Sequence, residues 1–257
     1  MNIKSLNSTT RFSDRVDNYI KYRPSYPREV VDYMIDTFNL SKDWIIADIA
    51  SGTGIFSKIL LNNRNHVYGV EPNKEMREAS EKLLMDYDKF VSIDGTAEES
   101  TLEERSIDLI TAAQAFHWFD PVKAKKEFKR ILKKDGIVLF IWNDRQIETS
   151  GFLQGYEELV IKYGTDYQKI NHRNVRENKS VESFFDKDYT IYQMNNYQEF
   201  DFDGLKGRLL SSSYAPNIDH DNYAPMLNTL NDLFEKYKKN KVVRIDYLTQ
   251  IFWGRLS

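Results

Sequence analysis

The 257-residue chain contains no cysteine. That excludes disulfide cross-links, thiolate metal sites and a cysteine nucleophile. Histidine is scarce as well, at four residues. His66, His172 and His220 are scattered without metal-ligand spacing, and no His-Glu-x-x-His run or carboxylate cluster joins them, so no metal site is expected. No window approaches the roughly 18 consecutive apolar residues of a membrane span. Met1 to Arg11 is polar and lacks the apolar stretch of a secretory signal, which predicts a cytoplasmic protein. An excess of positive charge is also missing: 36 basic residues face 39 acidic ones, for a net charge of -3. Nucleic acid is therefore not an expected partner, because such binding draws its affinity from neutralised phosphates. The basic run Lys123, Lys125, Lys126 and Lys129 alternates with apolar residues at helical spacing and reads as a solvated helix face. A Gly-x-Ser-x-Gly elbow and a P-loop lysine are absent too.

What is present suits one large α/β domain. With 41% hydrophobic and 14% aromatic residues the chain can bury a sizeable core. Up to about residue 145, short β-like runs alternate with helical patterns. Trp44–Ile49, His66–Glu71, Phe90–Ile93, Ile107–Thr111 and Ile137–Trp142 read as five strands. Pro72-Asn73 opens a helix with Met76, Ala79 and Leu83 on one face. Asp120-Pro121 is a cap and first-turn proline for another, which keeps Ala124, Phe128, Ile131 and Leu132 inward. Strands separated by helices predict a parallel sheet with right-handed crossovers, whose ligands sit beyond the carboxyl ends of the strands. The segment 146–188 mixes polar and aromatic residues and predicts a helical cap or substrate insertion. Beyond it, 189–257 holds strand-like runs at Tyr189–Phe202 and Lys241–Trp253 around an amphipathic Tyr223–Lys238, predicted to complete the core.

The strongest local signal is Asp48-Ile49-Ala50-Ser51-Gly52-Thr53-Gly54, between a strand and a helix. Glycines there let the backbone approach a ligand, and free N–H groups at a helix start favour an anionic end. The loop departs from the dinucleotide fingerprint, because Ser57 stands where its last glycine would fall. Glu71 ends the second strand, and an acid at that position can accept both hydroxyls of an adenosine ribose. Its alternative is an exposed carboxylate capping the helix after Pro72. Loop and acid together point to nucleoside binding, without choosing between a nicotinamide cofactor and another adenosine derivative.

Asp48 to Gly54 resembles the first motif of the class I S-adenosylmethionine-dependent methyltransferases, with Ala50 in place of the usual first glycine. Val70-Glu71-Pro72-Asn73 is similar to that family's ribose-binding segment, and Asp94-Gly95-Thr96-Ala97-Glu98 to its adenine-contacting segment, where Thr96 replaces a frequent aspartate. Asp108 to Asp120, with its Phe116-His117-Trp118 core, resembles the fourth-strand motif. Leu132 to Gly136 and Ile141-Trp142-Asn143 resemble the entry to and exit from the fifth strand. Tyr22-Arg23-Pro24-Ser25-Tyr26-Pro27 narrows the likeness to a small-molecule subgroup that includes trans-aconitate methyltransferases. The strong likeness covers about residues 11 to 145.

The resemblance implies a Rossmann-like, mostly parallel seven-stranded sheet, the last strand antiparallel, with helices on both faces and a helical cap. It implies S-adenosylmethionine as cofactor, with S-adenosylhomocysteine as product. The cofactor set is Tyr22, Arg23, Asp48, Ala50, Ser51, Gly52, Thr53, Gly54, Glu71, Pro72, Met76, Thr96, Ala97, Glu98, Gln114, Ala115 and Phe116. Within it, Arg23 suits the cofactor carboxylate. Aromatic faces at Tyr19, Tyr22, Phe116 and Trp118 suit a sulfonium. Tyr19, Trp118, Trp142 and Arg145 are candidates for a small-molecule substrate, with Arg145, Arg173 or Arg176 meeting an acidic acceptor, and His117 is the candidate catalytic residue, a base only where the acceptor must lose a proton. Two other readings stand beside methyl transfer to an oxygen, nitrogen or carbon of a small metabolite, a carboxylic acid included. One is an NAD-dependent oxidoreductase. The other is a protein that holds S-adenosylmethionine without using it.

Overall fold

Each strand start in the first half of the chain follows from a local stop and an apolar run. A computed structural model describes residues 16–167 and 180–256. Helices α1 (Val16–Tyr22) and α2 (Glu29–Phe38) lead into strand β1 (Ile45–Ile49), helix α3 (Ile55–Asn62) and strand β2 (His66–Val70). Helix α4 (Lys74–Leu83) is opened by Asn73, whose side chain accepts the Met76 N–H at 2.8 Å. Strands β3 (Phe90–Ile93) and β4 (Ile107–Ala113) follow. Asp120 then caps helix α5 (Pro121–Ile131), accepting the Val122 and Lys123 N–H groups, with Pro121 in the first turn.

Strand β5 runs from Leu132 to Arg145, longer than the Ile137–Trp142 run predicted from sequence. Leu132 pairs with Ile107, the register then shifts, and Ile137 pairs with Leu109. Asp135, at φ 68°, carries the intervening residues out of the ladder. Helices α6 (Gly151–Tyr163) and α7 (Ser180–Phe184), strand β6 (Thr190–Phe200), helices α8 (Phe202–Leu210) and α9 (Tyr223–Tyr237) and strand β7 (Val243–Gly254) complete the order. Of these, α8 was not visible in the sequence pattern.

Among the described residues one seven-stranded sheet has the order β3-β2-β1-β4-β5-β7-β6. The first five strands are parallel, and β7 lies antiparallel to both β5 and β6. This is the Rossmann-like architecture with helices on both faces. Strand order reverses between β1 and β4, which opens a crevice at their carboxyl ends.

Three apolar clusters hold the sheet. On one face Phe128 and Ile131 of α5 meet Phe116, Phe140, Phe184 and Phe185. On the other, Val30 and Met34 of α2 and Phe56 and Leu60 of α3 cover Ile46, Leu109 and Ile141. The third joins α6, α8 and α9 through Leu153, Leu205, Leu209 and Leu230 to Tyr247 at the start of β7. Because Tyr247 pairs with Arg145, this helical cap stands at the carboxyl end of β5. Helices from both segments, 146–188 and 189–257, therefore share one cluster. The predicted cap residues Arg173 and Arg176, with His172 and Met1 to Arg11, lie outside the described residues.

Phe128 is fully buried against Phe119 and Phe184. Phe128→Ala is expected to cost about 3 to 5 kcal/mol in urea unfolding. A loss under about 1 kcal/mol would show that this cluster does not carry the face of the sheet.

Candidate functional site

The chain leaves β1 through residues that must turn left-handed. Ala50, Gly52 and Gly54 have φ of 55°, 57° and 81°. At Gly54 a side chain would strike Leu84 Cδ1 at 2.6 Å, so glycine there serves packing. At Gly52 an added Cβ would meet nothing within 4 Å: its free side faces open space. Beside it the Ser51 and Thr53 hydroxyls are buried without a hydrogen-bond partner. Buried hydroxyls normally find one, so these two are groups that a ligand would satisfy.

Two carboxylates fix the loop. Asp48, fully buried, accepts the Ser57 hydroxyl at 2.6 Å and the Thr111 hydroxyl at 2.8 Å. Burial raises its pKa to about 6, against the opposing pull of those two bonds. Glu71 accepts the Gly52 N–H and the Asn73 N–H, each at 2.8 Å. Burial pushes its carboxyl up, and the two backbone donors oppose this. Each carboxylate oxygen keeps a further lone pair, so Glu71 can hold the loop and still accept a ligand hydroxyl.

A cavity that is open to solvent lies at the crevice. Its floor is Ala50, Ser51, Gly52 and Thr53 after β1, Gln114, His117 and Trp118 after β4, and Asn143, Asp144 and Arg145 at the end of β5. Gln114 holds φ 59° and donates its N–H to the Ile141 carbonyl at 2.8 Å. The wall comes from both ends of the chain: Tyr19, Arg23 and Tyr26 on one side, Arg208, Tyr214 and Tyr247 on the other. Gly207 makes this possible, since a Cβ there would collide with the Tyr22 ring. Arg23 then reaches the Ser211 carbonyl at 2.9 Å and lies 4.9 Å from the centre of the Tyr19 ring.

The cavity gathers ten of the predicted residues: Tyr19, Arg23, Ala50, Ser51, Gly52, Thr53, Gln114, His117, Trp118 and Arg145. The others stand elsewhere, for definite reasons. Asp48 is consumed by Ser57 and Thr111 beneath the loop. The Phe116 ring stacks on Phe140 at 4.3 Å in the core, with Ala115 buried beside it. Trp142 packs between Phe140 and Phe252. Tyr22 lies against Gly207. Gly54 abuts Leu84, and Met76 is buried in α4. Pro72 sits outside the cavity wall between Glu71 and the α4 cap. Thr96 accepts the Glu98 and Glu99 N–H groups within its own turn. Ala97 is buried in the core and Glu98 accepts the Asp120 N–H at 2.8 Å. Arg145 is ion-paired with Glu157 and bonded to Tyr167, so its charge is already answered.

Sequence reasoning missed Arg208, Tyr214 and Tyr247. None sits in a motif, and only the register of β7 against β5 and the packing of α8 bring them to the site.

With this geometry in view, the likenesses to known proteins are informative. A family model described as a methyltransferase domain matches residues 47–140. An uncharacterized methyltransferase-like protein of Schizosaccharomyces pombe is 31% identical over 159 residues, 60% of this chain and 59% of that protein. An uncharacterized methyltransferase of Mycobacterium tuberculosis is 32% identical over 153 residues, 60% of each. The match thus spans about three fifths of the length of these curated relatives. A solved structure from Anaeromyxobacter dehalogenans, provisionally described as a type II methyltransferase, superposes with a TM-score of 0.67 at 17% identity, covering 91% of this chain and 98% of the other. That likeness shows the fold. Family model and relatives alike are described as methyltransferases. Among the described residues no helix is long and apolar enough to cross a membrane, and no group of three or more His, Cys, Asp or Glu is placed to hold a metal.

The raised Asp48 carboxyl sets a pH dependence. Its folded pKa of about 6 exceeds the ordinary 3.8, so its contribution to stability is fully present below about pH 4 and lost as pH rises through 6. Asp48→Asn is expected to lack that component. The stability difference between wild type and variant should shift by roughly 1 to 3 kcal/mol in favour of the variant between pH 4 and pH 7. Parallel pH curves in urea unfolding would show that Asp48 does not titrate in the folded state.

Proposed function

We propose that this chain transfers a methyl group from S-adenosylmethionine to an oxygen, nitrogen or carbon atom of a small-molecule acceptor, acids included. The observation that carries the reading is the Gly52 loop, open on its ligand side, flanked by the orphaned Ser51 and Thr53 hydroxyls and tied to Glu71. These residues fit the cofactor. The loop and Arg23 would hold its amino-acid end, and Glu71 its ribose hydroxyls. The backbone around Ala97 would face its adenine, since the Thr96 side chain is engaged in its own turn. The Tyr22–Pro27 and His117–Trp118 motifs support a place near the trans-aconitate methyltransferases. The net charge of -3 favours a small acceptor over nucleic acid.

Bound S-adenosylmethionine supplies an electrophilic methyl on a cationic sulfur, which an electron-rich acceptor atom takes as the carbon–sulfur bond breaks and the sulfur keeps the electron pair. The residues of this chain contribute position and exclusion of water. Tyr19 and Trp118 present aromatic surface to the cavity. The wall formed by the Arg23 segment and the cap limits solvent at its mouth. His117 lines the same cavity and takes a proton only from an acceptor that must lose one. A carboxylate acceptor needs no base.

Calorimetric titration with S-adenosylmethionine, S-adenosylhomocysteine and NAD is expected to give binding of the first two alone. Binding of NAD alone, or of none of the three, would overturn the reading. Gly52→Val should abolish S-adenosylhomocysteine binding while leaving the circular dichroism native, and Glu71→Ala should weaken it by about 1 to 3 kcal/mol. Undiminished affinity in either variant removes that residue from the cofactor site. His117→Ala should lower turnover more than it lowers cofactor affinity, and unchanged turnover would leave His117 a lining residue.

A further inference from the structure

A buried guanidinium group ordinarily meets a carboxylate. Arg145 has Glu157. Arg208 differs. It stands on α8, 7% exposed, and lines the cavity. Its Nε donates to the Tyr247 hydroxyl and its Nη1 to the Ser212 hydroxyl, both at 3.2 Å. Among the described residues no carboxylate is in ion-pair contact with it. A guanidinium withdrawn from water with only hydroxyls for company is expensive to keep, because dipoles replace its hydration without answering its charge.

Tyrosines rather than acids surround Arg208: Tyr247, Tyr156 and Tyr214 outweigh burial and hold its pKa above the ordinary arginine value, so the group stays charged. Arg23 lines the same cavity with a carbonyl as its partner, and its Nε is buried without one. Burial, and then the nearby charge of Arg208, lower the Arg23 pKa. Tyr214 reports the same field. Burial pushes its hydroxyl up, yet Arg145, Arg208, a hydrogen bond with Ser212 and Arg23 together outweigh it and bring the pKa below the ordinary 10. Of the described residues lining the cavity, only Asp144 is acidic. The proposed cofactor would not restore balance, since its carboxylate is matched by its own ammonium and its sulfonium adds a positive charge.

We infer that Arg208 is the docking cation for the acceptor, and that the acceptor carries an anionic group with the planar, two-oxygen edge of a carboxylate or a phosphate, which a guanidinium fork can grip. This rests on the methyl-transfer reading for what the acceptor is, but not for whether Arg208 binds an anion. The positive field then selects acids over neutral molecules of equal size. Arg208 is a specificity residue: it holds the acceptor in place and leaves the reacting atoms to the floor of the cavity.

The test is titration of the whole chain, with and without saturating S-adenosylhomocysteine, against succinate, citrate, inorganic phosphate and the neutral succinamide. The expected result is binding of at least one anion and none of succinamide. Succinate or citrate binding identifies a carboxylate site, and phosphate binding alone a phosphate site. Arg208→Gln should weaken the anion at least tenfold while S-adenosylhomocysteine affinity stays within about threefold. Arg208→Lys, which keeps charge but loses the fork, should fall between. Equal anion affinity in a folded Arg208→Gln protein, succinamide binding as tightly as succinate, or no anion bound by the wild type would each overturn the inference. Should Arg208→Gln fail to fold, the succinamide comparison and the Arg208→Lys variant decide. Anion binding that persists without any S-adenosylhomocysteine binding would sink the cofactor assignment and leave Arg208 standing.

Discussion

The backbone leaves β1 and enters α3 through three left-handed residues, Ala50, Gly52 and Gly54, and it needs an anchor to stay there. Here the anchor is the Glu71 carboxylate. It receives the Gly52 N–H from the loop after β1 and the Asn73 N–H from the start of the α4 cap. One acid thereby joins the carboxyl ends of two neighbouring strands, and the open side of Gly52 is held toward ligand space. Beneath it Asp48 pins β1 to Ser57 in α3 and to Thr111 in β4. The strain of Ala50 at φ 55° and Gln114 at φ 59° persists at the edge of the same cavity because these bonds overdetermine the backbone. Loop and crevice both depend on that turn keeping its shape.

The second organising feature is the separation of labour between floor and wall. The floor comes from strand ends of the parallel half and offers backbone, hydroxyls and glycine. The wall comes from the two ends of the chain and offers arginine and tyrosine. Contact of α1 with α8 through Tyr22 and Gly207 brings those ends together, so Arg23 and Arg208 share one electrostatic field although 185 residues separate them. A cavity that concentrates positive charge in a chain of net charge -3 owes it to local placement, not to composition.

How much of this was legible in the sequence depends on the range of the interaction. The strand positions of the parallel half, the caps at Asn73 and Asp120 and the glycine turn were readable because each is fixed by neighbours a few residues away. Fold class followed from their alternation. The extra length of β5 was hidden because it depends on a register shift against β4. Phe116 and Trp142 looked like pocket aromatics from their place after strand ends. Which way a ring turns is decided by Phe140, Phe184 and Phe252, and sequence does not show that. Arg145 looked like an anion receptor because its partner, Glu157, lies on a helix whose docking is tertiary. Arg208 was invisible for the converse reason: an arginine in α8 becomes notable only once β7 places Tyr247 beside it and no acid arrives.

The central claim is that the Gly52 loop and Glu71 form the seat of an adenosine-bearing cofactor in the crevice between β1 and β4. A crystal structure of the chain grown with S-adenosylhomocysteine tests it most directly. The account predicts electron density for the amino-acid end against Ser51, Gly52 and Thr53, with the ribose hydroxyls on the Glu71 carboxylate and the sulfur facing His117 and Trp118. Density for that molecule elsewhere on the protein, with the loop and cavity left to solvent, would contradict it.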